Sequence, residues 1–179
     1  MRSLRDLEPG QQLECFGHRS SQWAKVFLGG EIVGTLTGAP EGFVAADGGW
    51  TIETQRGFFR FTEIVKDRAH DVEVARRERG YFGQSPFVFR SGREYFFEPT
   101  RFWWRTTYAF QRNGMRVVTF KLGQWAIWRK IRLVITVEPG AREAEQDLPI
   151  LVLLGCRMML DAMSTSAGFK GMADGADGC

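Results

Sequence analysis

The segment Asp147-Leu148-Pro149-Ile150-Leu151-Val152-Leu153-Leu154-Gly155-Cys156-Arg157-Met158-Met159-Leu160 carries one charge, Arg157, between its first residue and Asp161. Asp147 suits a helix N-cap and Pro149 a first helical turn. A helix lying on a surface shows polar residues every three to four positions. This one is apolar on nearly all sides, so it must be buried all round. The competing readings are a membrane span and a buried strand over 150–154. A span needs roughly 17–25 apolar residues, and the uninterrupted run here stops at Arg157. The reading taken is a core helix over 148–163, with Ile150, Leu151, Leu153, Leu154 and Met158 as its structural core residues.

A helix buried all round needs a wall, and the preceding sequence supplies short β-like runs. They fall at 11–17, 22–28, 31–37, 42–46, 50–55, 58–66, 70–76, 86–90, 93–98, 101–111, 115–122 and 125–137. Turn chemistry separates them: Gly29-Gly30, Asp47-Gly48-Gly49, Ser91-Gly92 and Asn113-Gly114. Asn-Gly and Gly-Gly favour two-residue hairpins, so the chain reads as an antiparallel meander. Alternation supports it. In 101–111, Phe102, Trp104, Thr106, Tyr108 and Phe110 share one face, and Arg101, Trp103, Arg105, Thr107 and Gln111 the other. In 125–137, Trp125, Ile127, Ile131, Leu133, Ile135 and Val137 share a face interrupted by Arg129. Trp128, Lys130, Arg132, Thr136 and Glu138 face oppositely. An inward Arg129 needs several carbonyl partners or a carboxylate such as Glu98 or Glu63; a β-bulge that turns it outward is the alternative.

The organisation read from these runs is a polar lead at 1–10, one β-barrel domain over 11–163, and a disordered tail at 164–179 built of small and polar residues. A length of 179 residues suits one domain with a substantial core. The net charge of +3 is too weak to imply nucleic-acid binding by itself. Five of the 24 basic residues are lysine, at 25, 66, 121, 130 and 170. The arginine excess therefore reflects coding bias or oxyanion recognition. Cys15, Cys156 and Cys179 are odd in number, widely spaced and form no CxxC, which argues against a disulfide framework or a zinc site. The charged start Met-Arg-Ser-Leu-Arg-Asp has no apolar signal-peptide core. A reducing, cytoplasmic setting follows.

The aromatic hairpin around Ser91-Gly92, the Asn113-Gly114 turn and Leu148-Pro149-Ile150-Leu151-Val152-Leu153-Leu154-Gly155 after the final strand carry a resemblance. Over roughly 11–163 the layout resembles the tubby C-terminal-like superfamily, which includes the phospholipid scramblases and the LURP-one-related proteins. The resemblance implies a closed antiparallel barrel of about twelve strands enclosing a hydrophobic C-terminal helix. It also implies a phosphoinositide-binding site made of basic residues. The calcium-binding and cysteine-rich segments of the scramblases have no counterpart in this sequence.

The candidate ligand-binding set is Arg101, Arg105, Trp128, Lys130 and Arg132, where cations could grip a phosphate head group beside an interfacial ring. The plain alternative is a solvated strand face whose charges discourage edge pairing. Arg76, Arg77 and Arg79, diluted by Glu73 and Glu78, read as a solvated loop. His18 and His70 read as turn or surface residues, and Cys156 as an inert core thiol. No phosphate loop, nucleophile elbow or metal-ligand spacing is present, so neither a catalytic residue nor a cofactor is implied. The functional reading is a non-enzymatic binding module for anionic phospholipid or a protein partner, cytoplasmic and peripheral at the membrane. The alternatives are a small-molecule carrier barrel and an enzyme with an unrecognised site.

Overall fold

Asn113 and Gly114, at φ 52° and 76°, and Gly29 and Gly30, at 57° and 87°, hold the left-handed backbone that two-residue hairpins require. Around such turns the chain folds back on itself as the alternation implies. The computed structural model describes residues 2–18, 21–38, 41–56, 60–80, 85–102, 105–123 and 130–164. The strands are β1 (Gln12–His18), β2 (Ser21–Leu28), β3 (Glu31–Gly38), β4 (Glu41–Ala45), β5 (Gly48–Arg56) and β6 (Arg60–Asp67). They continue as β7 (Val72–Gly80), β8 (Phe87–Phe89), β9 (Glu94–Phe102), β10 (Arg105–Arg112), β11 (Met115–Leu122) and β12 (Lys130–Val137). Each strand pairs antiparallel with its chain neighbour, and β12 pairs with β1, so the sheet closes into a barrel. Closure gives every strand a neighbour on both sides, although the three-residue β8 pairs with β7 only at Ala75 and Arg76 among the described residues.

A 3₁₀ turn at Pro139–Ala144 leads into the helix α1 (Leu148–Ser164). The strands that approach α1 most, β10, β11, β12, β2, β3 and β4, flank β1 and form one continuous arc of the barrel. The helix lies against this arc inside the closed sheet, with nearly all of its apolar circumference buried. Ile150, Leu151, Val152, Leu153, Leu154, Cys156, Met159 and Leu160 are buried, and Met158 is half-buried. Each fully buried aliphatic side chain contributes about 1.5–3 kcal/mol. Where α1 does not reach the wall, rings fill the space. Phe110 packs on Phe87, Phe97 and Phe120 with centroids 6.1, 4.9 and 6.2 Å away.

The contacts between helix and wall are close. A Cβ on Gly155 would stand 2.1 Å from Cζ of Phe120, and one on Gly34 would stand 2.6 Å from Cδ2 of Leu153. The N-terminal end of α1 is fastened by Asp147. Its carbonyl accepts the first helical hydrogen bond, from Leu151 N–H at 3.0 Å. Its carboxylate accepts from Tyr95 O–H at 2.8 Å and Arg93 N–H at 3.1 Å. Residues 2–10 also dock on the barrel: Leu4 and Leu7 are buried, and Asp47 accepts from Ser3 O–H and from Leu4 N–H at 2.6 Å.

Two sequence readings change. The run 101–111 is not one strand, because β9 ends at Phe102 and β10 begins at Arg105. The stretch Ala-Arg-Arg-Glu-Arg-Gly is not a loop; it lies in β7, which pairs with β6 as far as Gly80. Arg77 is buried at 5% exposure. Its Nη1 lies 3.5 Å from Glu63 Oε2, and its guanidinium carbon sits 5.0 Å from the Phe87 ring centre. Arg76 and Arg79 are exposed, as composition implied, but Arg77 is not, and the Glu63 charge across β6 and β7 only partly offsets its desolvation. Arg129 and the rest of 125–129 lie outside the described residues, as do 165–179 of the expected tail.

Gly155→Ala tests the close packing. Alanine gains about 1 kcal/mol of helix propensity, but the Phe120 ring is held by Phe97 and Phe110 and has little room to yield. We expect a net loss of about 1–3 kcal/mol in urea denaturation. Gly34→Ala should cost less, because it meets the flexible end of Leu153.

Tyr95→Phe tests the Asp147 anchor. The lost hydrogen bond to a carboxylate should cost about 1.5–3 kcal/mol at neutral pH. Burial first, and the Asp147 charge second, push the Tyr95 phenol above its ordinary value. The unfolded chain therefore releases this proton at lower pH than the folded one, from about pH 10. Stability from the neutral phenol is complete below that pH and declines above it. The gap between wild type and Tyr95→Phe should narrow as pH is raised through 10, measured by urea midpoints.

Candidate functional site

Alternation in β1, β2 and β12 sorts side chains to two faces of one wall. Leu13, Cys15, Ala24, Val26, Ile131 and Leu133 point inward and are buried. Glu14, Phe16, Trp23, Lys25, Phe27, Arg132 and Val134 alternate with them and point outward. The outer set is unusual for its rings. Trp23 is 51% exposed and Phe16 42% exposed.

The register brings these side chains together. Phe16 stands opposite Lys25 on β2 and opposite Arg132 on β12. Trp23 lies two residues before the exposed Lys25 on the same face, diagonal to Phe16. Phe27 meets Phe16 edge to face, with centroids 5.6 Å apart. The Arg132 guanidinium carbon lies 5.9 Å from the Phe16 ring centre. Arg132 pairs with Glu14 across the strands, and its buried Nε–H has no hydrogen-bond partner. Lys121 on β11 is exposed opposite Val134, one strand further round. Three of the five lysine positions, 25, 121 and 130, therefore fall on β2, β11 and β12.

Of the five residues singled out from sequence, Lys130 and Arg132 belong to this wall, with Lys130 opposite His18 in the register. Trp128 lies outside the described residues. Arg101 and Arg105 stand on β9 and β10, where position 101 pairs with 106 and position 105 with 102; their side chains lie outside what the structure describes.

Phe16, Trp23, Lys25 and Lys121 were missed. Within β2 the stretch 23–28 reads Trp-Ala-Lys-Val-Phe-Leu, and both its faces are apolar apart from Lys25. That lysine was the one signal that the larger residues face outward. His70 is exposed, with Nδ1 3.2 Å from Asp67 Oδ2. Among the described residues no three metal-ligating side chains converge.

A second polar group lies on the inner side, near the C-terminal part of α1. It comprises Arg77 with Glu63, and Arg157 paired with Asp161 at 2.8 Å. Arg77 Nη1 also reaches Met158 Sδ at 3.8 Å. Burial lowers the Arg77 pKa from its ordinary value, while Glu63 opposes that shift. Compensation is partial, since Arg77 Nε and Glu63 Oε2 are buried without a hydrogen-bond partner and Asp161 is exposed.

If the outer rings are not required for folding, Trp23→Thr should change stability by less than about 0.5 kcal/mol. Urea denaturation of the variant beside wild type measures this. A loss above 2 kcal/mol would assign Trp23 to packing. Comparison with family models, with curated proteins and with solved structures finds no match to this chain.

Proposed function

We propose that this chain is a non-enzymatic binding module of tubby C-terminal-like architecture that docks on anionic phospholipid through the outer face of β12, β1 and β2. The observation that carries the reading is the exposure of Trp23 and Phe16 beside Lys25 and Arg132 on one wall. An amphipathic ring lowers its free energy at the boundary between head groups and acyl chains. Each nearby lysine or arginine adds about 1 kcal/mol against an anionic surface. The two effects act on the same plane here, because a barrel wall is a broad surface rather than a cleft.

The layout of a closed twelve-strand barrel with one C-terminal helix supports the kinship with the tubby-like proteins. Among the described residues no helix is long and apolar enough to cross a membrane. Contact through an exposed wall is therefore the mode proposed, at the cytoplasmic surface. A carrier barrel would hold its ligand inside, where α1 and the rings of Phe87, Phe97, Phe110 and Phe120 are packed.

Co-sedimentation with vesicles tests the proposal, using neutral and anionic lipid at low and high salt. Wild type should pellet with anionic vesicles and be released as salt screens the lysines. Trp23→Thr should weaken binding by about 5–30-fold, the loss of 1–2 kcal/mol of ring burial. Lys25→Ala should weaken it about fivefold. An absence of pelleting with any vesicle, or pelleting that both variants retain, would defeat the proposal and turn the search to a protein partner.

A further inference from the structure

Cys15 on β1 and Cys156 on α1 are both buried and both free. Two packing contacts and the strand register place them near each other. Leu160 approaches Gly17, where a Cβ would stand 2.9 Å from Leu160 Cδ2. Cys156 lies one helical turn before Leu160, about 6 Å along the axis, and Cys15 lies two residues before Gly17, about 6.6 Å along the strand. The two steps run in the same direction, so the contact at Gly17 carries down to the cysteines. Leu153 independently fixes the level, because it seats on Gly34. Gly34 pairs with Val26, and Val26 pairs with Cys15. On the helix, Cys156 lies within about 60° of the directions of Leu153 and Leu160. The Cys156 thiol is accordingly pushed well above its ordinary value, by burial first and by the adjoining Cys15 thiol second.

Gly17 and Gly34 line the wall facing this part of α1, and Gly155 adjoins Cys156 in the chain. Gly17 and Gly34 admit the side-chain ends of Leu160 and Leu153, which seats this part of α1 against β1 and β3, and a disulfide needs two cysteines held within such a short span. Other buried polar groups have partners on hand: Arg77 lies 3.5 Å from Glu63, and Asp147 anchors the start of α1. The thiol pair has no such role, since two alanines or valines would fill the same space.

We propose that Cys15 and Cys156 are a latent disulfide that fastens the core helix to the barrel wall when the protein meets a low-molecular-weight disulfide such as oxidised glutathione. One cysteine gives up its proton, and its sulfur attacks the small disulfide. The small S–S bond breaks, and the first small thiol leaves with that proton. The second cysteine sulfur then attacks the mixed disulfide and expels the second small thiol, which takes the second proton. Two cysteines are oxidised, and one small disulfide is reduced to two thiols. The bond spans nearly the whole described chain, so the bridged helix stays in the barrel unless the wall itself opens.

The test uses the full chain carrying Cys179→Ser, refolded from urea into buffers with graded ratios of oxidised to reduced glutathione. The same ratios are applied to the chain kept in strong urea, which removes any question of access. Each sample is alkylated after acid quench and weighed intact, and digested peptides locate the bond. The folded chain should form the Cys15–Cys156 bond at a ratio about 100-fold more reducing than the unfolded chain requires. Half-oxidation at the same ratio, or at a more oxidising one, would show that the native geometry disfavours the bond and would overturn the proposal. So would glutathione adducts on the two cysteines in place of the bond.

Discussion

Helix α1 satisfies its own backbone hydrogen bonds but presents apolar side chains around its whole circumference. Such a helix can leave water only by being enclosed. A single packed sheet would cover one side of it. Twelve strands closed into a barrel cover every side, and closure also removes the sheet edges that would otherwise pair with another chain. The small residues follow from the same constraint. Gly155 admits the Phe120 ring, and Gly34 and Gly17 admit the ends of Leu153 and Leu160. The barrel is filled by complementary shapes on helix and wall.

Polar groups reach the interior beside the two ends of the helix. At the start, Asp147 collects Tyr95 and Arg93 and fixes where α1 enters. Toward the finish, Arg77 meets Glu63, and Arg157 meets Asp161. Between them the core is apolar over Leu148–Cys156. Because the inward side chains carry the packing, the outward side chains of β1, β2 and β12 are free of that duty. Trp23 and Phe16 keep much of their ring surface in water there, which is why they mark the proposed docking surface.

The sequence determined the element types. Gly29-Gly30 and Asn113-Gly114 demand reversals because few other residues accept positive φ. The run from Leu148 to Leu160 demands burial because it has no polar side. Local chemistry of this kind acts over a few residues, so it survives in any single chain read by itself. All twelve strands were legible for that reason, and so was the helix. Whether a charged run is solvated, and which face of a strand looks outward, depends on residues far away in the chain. Arg77 lies in the wall opposite Glu63 of the neighbouring strand, and positions 101 and 105 belong to different strands because the chain reverses after Phe102. Trp23, Phe16, Lys25 and Arg132 form one surface through the closing of β12 onto β1, a pairing across more than a hundred residues. Only the tertiary structure decides such pairings, because a strand's own sequence does not name its neighbour.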